Sequence, residues 1–292
     1  MDLKRILVAV NSPNGRDAAF ERALALARSS GAELYLLHAV PVNQPFSFRA
    51  AERLDLMVDM RKRAEDAGVR VQTVEQHGDP AEIIELHANA RRVDLIVMGA
   101  EARRGWGRRR SLVAEMIIRR TSVPTLVVAS DAAPDGATAF RNVLVAVDLS
   151  PASKDVLEAA IGLTAGEAVQ LTVMHTVKGV EAADAVQNPG RWMVPEYRRH
   201  VLEDARRTLE KVASAVPAGV DTRLQVSTGS AASTILGHAA GVDADLVVVG
   251  RSQGFRMPGS TALRVLRRND RALLVIPGAA WRTDRVERQR AA

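Results

Sequence analysis

Residues 6–27 read ILVAVNSPNGRDAAFERALALA, and residues 143–164 read VLVAVDLSPASKDVLEAAIGLT. The two stretches align without a gap at an offset of 137 residues. A second pair, VDLIVMG at residues 93–99 and ADLVVVG at residues 244–250, repeats at an offset of 151 residues. Self-similarity of this kind indicates a duplicated domain. The chain of 292 residues is long enough for two domains, each with its own hydrophobic core.

Each copy alternates short apolar runs with amphipathic segments. In the first copy the apolar runs lie at residues 6–10, 34–40, 69–74, 95–98 and 126–128. Continuous runs of Val, Ile and Leu are typical of strands that are buried on both faces of a sheet. Strands that alternate with helices predict a parallel sheet with right-handed crossovers and helices on both faces. We therefore predict an α/β protein of two tandem, doubly wound, five-stranded Rossmann-like domains at residues 1–132 and 139–282, with a polar tail at residues 283–292.

The last apolar run of each copy is the predicted edge strand. These runs lie at residues 126–128 and 273–276. Unpaired apolar strand edges invite association with another strand. We predict that the two runs meet, so that the two domains form an internal dimer.

Composition excludes several classes of protein. The chain contains no cysteine, which rules out disulfides, thiolate metal sites and a cysteine nucleophile. Apolar residues make up 47% of the chain and charged residues 25%, as in globular proteins. No stretch approaches the roughly 20 consecutive apolar residues of a membrane span, so we expect a cytoplasmic protein without a membrane partner.

The net charge of +6 raises the question of nucleic acid, but most of the excess is local. Residues 101–120 hold seven Arg and two Glu, and the segment ARRGWGRRR at residues 102–110 places Trp106 among the arginines. Clustered Arg beside an aromatic ring can bind nucleic acid. The alternative is a solvated loop, or guanidinium groups that reach a neighbouring phosphate. A single basic loop without a reader motif favours the alternative, so nucleic acid is not expected as a partner.

Two strand ends of the second copy carry residues that suit a ligand. In an open doubly wound sheet, ligands bind beyond the carboxyl ends of the strands, where the strand order reverses. Asp148 follows the first strand and could accept hydrogen bonds from ribose hydroxyls, and Gly250 ends the fourth strand and would let backbone approach a phosphate. The structural alternative is that Asp148 closes a turn and that Gly250 only makes one. Ser150 and Pro151 predict the N-cap and first residue of the next helix.

Sequence motifs for catalysis are weak or missing. The spacing from Gly254 to Gly259 fits a P-loop, but Ser260 stands where that motif has the lysine that neutralises the β- and γ-phosphates. The serine hydrolase motif Gly-x-Ser-x-Gly is absent. His38 and His175 occupy equivalent ends of the second strands and are interpreted as structural histidines. A binding protein is therefore favoured over an enzyme.

Three segments resemble those by which universal stress proteins are identified. They are HGDPAEIIELHANARRVDLIVMG at residues 77–99, VLVAVDLS at residues 143–150 and GSTALRVLRRNDRALLVI at residues 259–276. Each half of the chain resembles one domain of the family, so the whole resembles a tandem, UspA-like protein. The resemblance implies the strand order 3-2-1-4-5 and pairing of domains through their fifth strands. It also implies ATP binding in the branch that carries Gly-x2-Gly-x9-Gly-Ser/Thr after the fourth strand and Asp after the first.

Carried onto this sequence, the resemblance implies a nucleotide site in the second copy. The implied residues are Ala146, Asp148, Thr176, Val249, Gly250, Gly254, Gly259, Ser260 and Thr261. The second glycine is displaced to Gly254 and the nine-residue gap shrinks to four, which favours a nucleotide with fewer phosphates. In the first copy Asn11 replaces the aspartate and Leu112 replaces the serine, so that site is expected to be degenerate.

These observations predict a stress-response protein that binds ATP or another adenine nucleotide in its second domain. One alternative is an interaction module that has lost nucleotide binding, as the first copy is expected to have done. Another is a weak ATPase. A homodimer of the whole chain is a further possible partner arrangement.

Overall fold

The structure is a computed structural model of the chain. It describes residues 1–10, 17–41, 49–100, 112–129, 140–164, 169–178, 195–251 and 261–278, with only the backbone at 49–54 and 195. The first copy contains β1 (Arg5–Ala9), α1 (Ala18–Ser30), β2 (Glu33–Val40), α2 (Arg49–Asp66), β3 (Val71–His77), α3 (Pro80–Ala90), β4 (Leu95–Ala100), α4 (Leu112–Arg120) and β5 (Thr125–Ala129). The second contains β6 (Asn142–Val147), α5 (Ser153–Leu163), β7 (Gln170–Val177), α6 (Pro195–Ala213), β8 (Asp221–Thr228), α7 (Ala231–Gly241), β9 (Leu246–Arg251), α8 (Thr261–Arg268) and β10 (Ala272–Pro277). The predicted alternation of strands and helices is confirmed.

The chain divides into two compact units. The first unit contains Asp2–Ala139 together with β10, and the second contains Phe140–Asn269. In the first unit the strands β3-β2-β1-β4-β5 are parallel and follow the implied order. In the second unit β9-β6-β7-β8 are parallel in the corresponding order. The domain bounds 1–132 and 139–282 stay a prediction.

The two predicted edge strands pair with each other. Leu273 lies opposite Val127 and Leu274 opposite Leu126 in an antiparallel ladder between β10 and β5. Every residue of both strands is buried. The prediction that residues 126–128 and 273–276 meet is confirmed. The sheet of the first unit is mixed, however, and not purely parallel, because the edge of β5 is satisfied by a strand that runs in the opposite direction.

The third strand begins later than the sequence indicates. The apolar run at residues 69–74 predicts a strand there, whereas β3 spans Val71–His77. Gly68 has a φ of 75° and its N–H donates to the Glu65 carbonyl, while the Val69 N–H donates to the Ala64 carbonyl. This is a Schellman motif that ends α2, and its hydrophobic position is Val69. Val69 is therefore buried because it caps a helix.

An aspartate at the start of the fourth strand joins it to the first strand in each copy. Asp94 Oδ2 accepts hydrogen bonds from the backbone N–H groups of Lys4 and Arg5, at 2.8 and 2.9 Å. Asp245 Oδ2 accepts from the backbone N–H groups of residues 141 and 142, at 2.7 and 3.2 Å. The two aspartates occupy the same position of the repeated segments VDLIVMG and ADLVVVG. The repetition of this residue thus has a structural cause.

A histidine on the third helix of each copy bonds a side chain of the third strand. His87 Nε2 lies 2.6 Å from Gln76 Oε1, and His238 Nε2 lies 2.8 Å from Ser227 Oγ. Burial, and then the charge of Arg91, lower the pKa of His87. The folded protein therefore favours the neutral imidazole of His87.

We expect His87→Gln to reduce the loss of stability in mild acid. A base whose pKa is lower in the folded state binds fewer protons there than in the unfolded chain, so stability falls as the pH drops below about 6.5. Melting temperatures at about pH 7.5 and about pH 5.5 should therefore differ less in His87→Gln than in the wild type. His238→Gln is the matched substitution in the second copy. His238 also bonds the third strand, but Val242 takes the position that Arg91 has relative to His87. Equal declines in the wild type and His87→Gln would contradict the prediction.

Candidate functional site

The strand order of the second unit reverses beside β6. The chain leaves β6 for β7 on one side and returns to β9 on the other. Ala146 is in register with both Met174 and Val249, so the carboxyl ends of the three strands lie level. Asp148 follows β6 directly, and Gly250 and Arg251 end β9. Ligands of open α/β sheets bind at such a reversal.

Asp148 closes the turn between β6 and α5. Its Oδ1 accepts hydrogen bonds from the Ser150 N–H at 3.0 Å and from the Ser153 hydroxyl at 3.2 Å. Leu149, between strand and turn, has a φ of 60°. The helix begins at Ser153, and its N-cap, Ala152, makes no side-chain hydrogen bond. The expectation that Ser150 and Pro151 start the helix is therefore wrong, because the Asp148 carboxylate organises this turn.

The Asp148 carboxylate also keeps capacity for a ligand. Burial raises the pKa of this group, but hydrogen bonds from the side chain and backbone of Ser150 and from Ser153 outweigh it, so the pKa is lowered. The group is thus ionised at neutral pH. Asp148 is exposed, so a ligand can still reach its carboxylate. The turn role and a ligand role are therefore compatible.

Gly250 has a packing role that is independent of any ligand. A Cβ atom at this position would lie 3.0 Å from Val156 Cγ2 on α5. Around the equivalent Gly99 in the first copy, no atom of the described residues lies within 4 Å of such a Cβ. Gly250 therefore lets α5 approach β9 closely, a structural role different from the turn that the sequence offered as the alternative.

Arg251 brings a positive charge to the same strand end. Gly250 faces α5, so the alternation of side chains along a strand places Arg251 on the opposite sheet face, which α7 and α8 cover. The guanidinium is half-buried, and burial lowers its pKa. It remains charged at neutral pH, because the ordinary pKa of arginine lies far above neutrality. The reversal thus carries a carboxylate on β6 and a guanidinium on β9.

The other implied site residues differ in what they can offer. Thr176 is half-buried near the end of β7, one residue beyond the pairing of Val147 with His175, and so lies level with Asp148. Val249 is 2% exposed, so its side chain belongs to the core. Thr261 is half-buried and is the first residue of α8.

Part of the implied site lies outside the described residues. These positions are Gly254, Gly259 and Ser260, together with Asn11 of the first copy and the Arg-rich segment at residues 102–110. The structure thus brings Ala146, Asp148, Thr176 and Gly250 to neighbouring strand ends.

The second strand of each copy carries, near its end, a histidine with a backbone partner. His38 Nδ1 lies 2.8 Å from the Val10 carbonyl, and His175 Nδ1 lies 2.8 Å from the Val147 carbonyl. A carbonyl only accepts, so Nδ1 must carry the hydrogen in both rings. These bonds join the ends of the first and second strands just where the sheet opens toward the candidate site. The sequence signal for them was the repetition of the histidine.

The described residues contain neither a metal-binding cluster nor a helix that could span a membrane. Across the described ranges, no group of three or more His, Asp or Glu side chains is placed to hold a metal ion. Among the described helices, none is long and apolar enough to cross a membrane.

Comparison with known proteins assigns the family. The model of the universal stress protein family matches residues 2–129 and again residues 139–277. The chain belongs to this family. The two matches follow the two copies that the sequence repeat defines.

Individual members of the family are distant in sequence and similar in fold. A universal stress protein of Methanocaldococcus jannaschii is 28% identical over 138 residues, which cover 43% of this chain and 81% of the relative. The crystal structure of a universal stress protein from Archaeoglobus fulgidus matches with a TM-score of 0.66 and 17% identity, covering 94% of this chain and 98% of that one. A functionally unknown protein from Pseudomonas aeruginosa matches with a TM-score of 0.64 and 17% identity, covering 98% of both chains.

Proposed function

We propose that this protein is a cytoplasmic stress-response protein that binds an adenine nucleotide in its second domain and acts through binding. The carrying observation is the Asp148 carboxylate at the strand reversal. Its Oδ1 oxygen is fixed by the turn, and the side chain is exposed at the carboxyl end of the strand. A fixed, ionised acceptor of this kind suits the two neighbouring hydroxyls of a ribose.

The charges at the two strand ends support the same ligand. In this proposal Asp148 holds the ribose, and Arg251 neutralises a phosphate from the sheet face that α8 also occupies. Hydrogen bonds between charged partners are about twice as strong as neutral ones, so one guanidinium offsets some of the backbone donors that a shortened glycine loop loses. Membership of the family supports the assignment, because the resemblance implies ATP binding in one branch.

The two copies differ at the positions that matter for this proposal. Asn11 replaces the aspartate in the first copy, so a charged acceptor is lost there. Leu112, which stands in the position of Ser260, is 65% exposed and has no hydroxyl. The second copy is therefore the proposed site.

Calorimetric titration of the full chain tests the proposal. We expect ATP, ADP or AMP to bind, and Asp148→Ala to weaken binding by about tenfold, the loss expected for a hydrogen bond to a charged group. The ribose contact is isolated by 2′,3′-dideoxy-ATP, which lacks both hydroxyls. Its affinity should be the same in the wild type and in Asp148→Ala. Asp243→Asn is the control. Asp243 is exposed and precedes the amino end of β9, whereas Asp148 lies at the carboxyl ends of the strands.

Three outcomes would count against the proposal. Failure of all three nucleotides to bind at millimolar concentration, equivalent to about −4 kcal/mol, would favour the interaction module. Equal sensitivity of ATP and its dideoxy analogue to Asp148→Ala would remove the ribose contact. Sustained phosphate release from ATP that is lost in Asp148→Ala would favour the weak ATPase.

A further inference from the structure

A groove of about 440 Å³ lies on the second unit between α6 and β8. The side chains that matter for its chemistry are three arginines and three apolar residues: Arg198, Arg199, Arg206, Leu202, Leu224 and Val226. Three consecutive residues of β8, at positions 224–226, line it. Since side chains alternate between the two faces of a strand, a groove that meets three in a row also meets the strand backbone.

The backbone at this groove is an open sheet edge. β8 is the last strand of the order β9-β6-β7-β8, and within the described ranges no strand pairs with its outer side. The Gly229 N–H donates to the Val177 carbonyl, so the alternation of a parallel ladder turns residues 223, 225 and 227 toward β7. The N–H and C=O groups of Leu224 and Val226 therefore point outward. In agreement, the Val226 carbonyl accepts from the side-chain amide of Gln225 at 2.9 Å.

The groove combines an apolar floor with a positive rim. Leu202, Leu224 and Val226 are each half-buried, so part of their surface stays in contact with solvent. Arg199 is 3.9 Å from Glu203, and Arg206 pairs with Glu210 on the next turn. Arg198 is exposed and has no ion-pair partner among the described residues. The residues that line the groove thus include three arginines and one carboxylate, that of Glu203. This excess of positive charge favours an anionic partner.

The first copy lacks this combination. The positions that correspond to Leu224 and Val226 are Thr73 and Glu75, on the edge strand β3. A hydroxyl and a carboxylate there remove the apolar floor and reverse the charge. The apolar floor is therefore specific to the second copy, and the first copy supplies the residues for a matched test.

We propose that β8 binds an extended acidic segment of a partner protein, which adds to the sheet as a further strand. Its main chain pairs with the outward N–H and C=O groups of Leu224 and Val226. Its apolar side chains pack on Leu202, and its carboxylates meet Arg198 and Arg206. In strand addition, main-chain hydrogen bonds supply affinity and the pockets beside the edge strand supply specificity.

Fluorescence anisotropy with two labelled six-residue peptides tests this proposal on the full chain. One peptide alternates valine with glutamate and the other alternates valine with lysine. We expect the acidic peptide to bind at least about tenfold more tightly, and raised salt to reduce the difference. Val226→Glu installs the residue of the first copy. It should lower the affinity for the acidic peptide by about tenfold or more, because the new carboxylate would repel the glutamates of the peptide. Thr73→Glu on β3 should leave binding unchanged.

Backbone methylation separates strand addition from simple charge attraction. Two further acidic peptides carry N-methyl groups on alternate residues, one on the odd-numbered and the other on the even-numbered residues. In an added strand only one of these two sets of N–H groups faces β8, so only one of the two peptides should lose binding. Full binding by both would show a site for small amphipathic anions and would overturn the proposal, as would equal binding of acidic and basic peptides. If Val226→Glu lowers the melting temperature, the exposed substitution Arg198→Glu replaces it, and unchanged binding in that folded variant would also overturn the proposal.

Discussion

Gly250→Val is expected to destabilise the protein by about 2 to 3 kcal/mol, the upper part of the range for overpacking a core. Even a Cβ atom would stand 3.0 Å from Val156 Cγ2. Valine adds two methyl groups beyond that Cβ. Val156 is buried on α5 and Gly250 lies in a parallel sheet, so neither side can move away without disturbing its own packing. Urea unfolding of the full chain, followed by circular dichroism, measures the loss.

Gly99→Val is the matched control in the first copy. Gly99 occupies the same position of the repeated segment, and in the part of the chain that the structure describes no atom lies within 4 Å of where its Cβ would stand. Valine is also favoured in strands, so we expect no loss of stability at this position. Equal destabilisation by the two substitutions would show that Gly250 has no special packing role, and would return that glycine to the ligand interpretation alone.

The repeat and the apolar runs were enough to predict most of the fold. In a strand that is buried on both faces, consecutive residues are apolar. The alternation of strand and helix could therefore be predicted along the whole chain. The signal failed where an apolar residue is buried for another reason. Val69 packs as part of a helix C-cap, whereas the apolar run predicts a strand there, because burial alone does not distinguish the two.

The candidate site was harder to predict than the fold. The type of residue at Asp148 indicated both a turn and a ribose contact, and only the positions of Ser150 and Ser153 show that one oxygen serves the turn. Nothing in the sequence marked the groove beside β8. Its apolar floor depends on the register of an edge strand against a helix, and its rim depends on arginines that look like an ordinary solvated helix face.

Removal of the aspartate that joins the first and fourth strands should have a comparable effect in either copy. Asp245→Ala leaves the N–H groups of Arg141 and Asn142 without their acceptor, and Asp94→Ala does the same to those of Lys4 and Arg5. Hydrogen bonds to a charged group contribute about 1.5 to 3 kcal/mol when buried. Three of the four hydrogen bonds are exposed to water. We therefore expect a loss at the lower end of this range, about 1.5 kcal/mol from each substitution.

The asparagine variants separate the charge from the acceptor. In each copy both N–H groups bond the same oxygen, Oδ2, so a single amide oxygen could accept both bonds without a negative charge. Asp94→Asn and Asp245→Asn should therefore keep more than half of the stability that the alanine variants lose. Denaturant midpoints of the four single variants provide the comparison. If asparagine is as damaging as alanine, the aspartate acts through its charge. If alanine costs nothing, then water replaces the acceptor at the start of the strand, and the repetition of aspartate in VDLIVMG and ADLVVVG needs another cause.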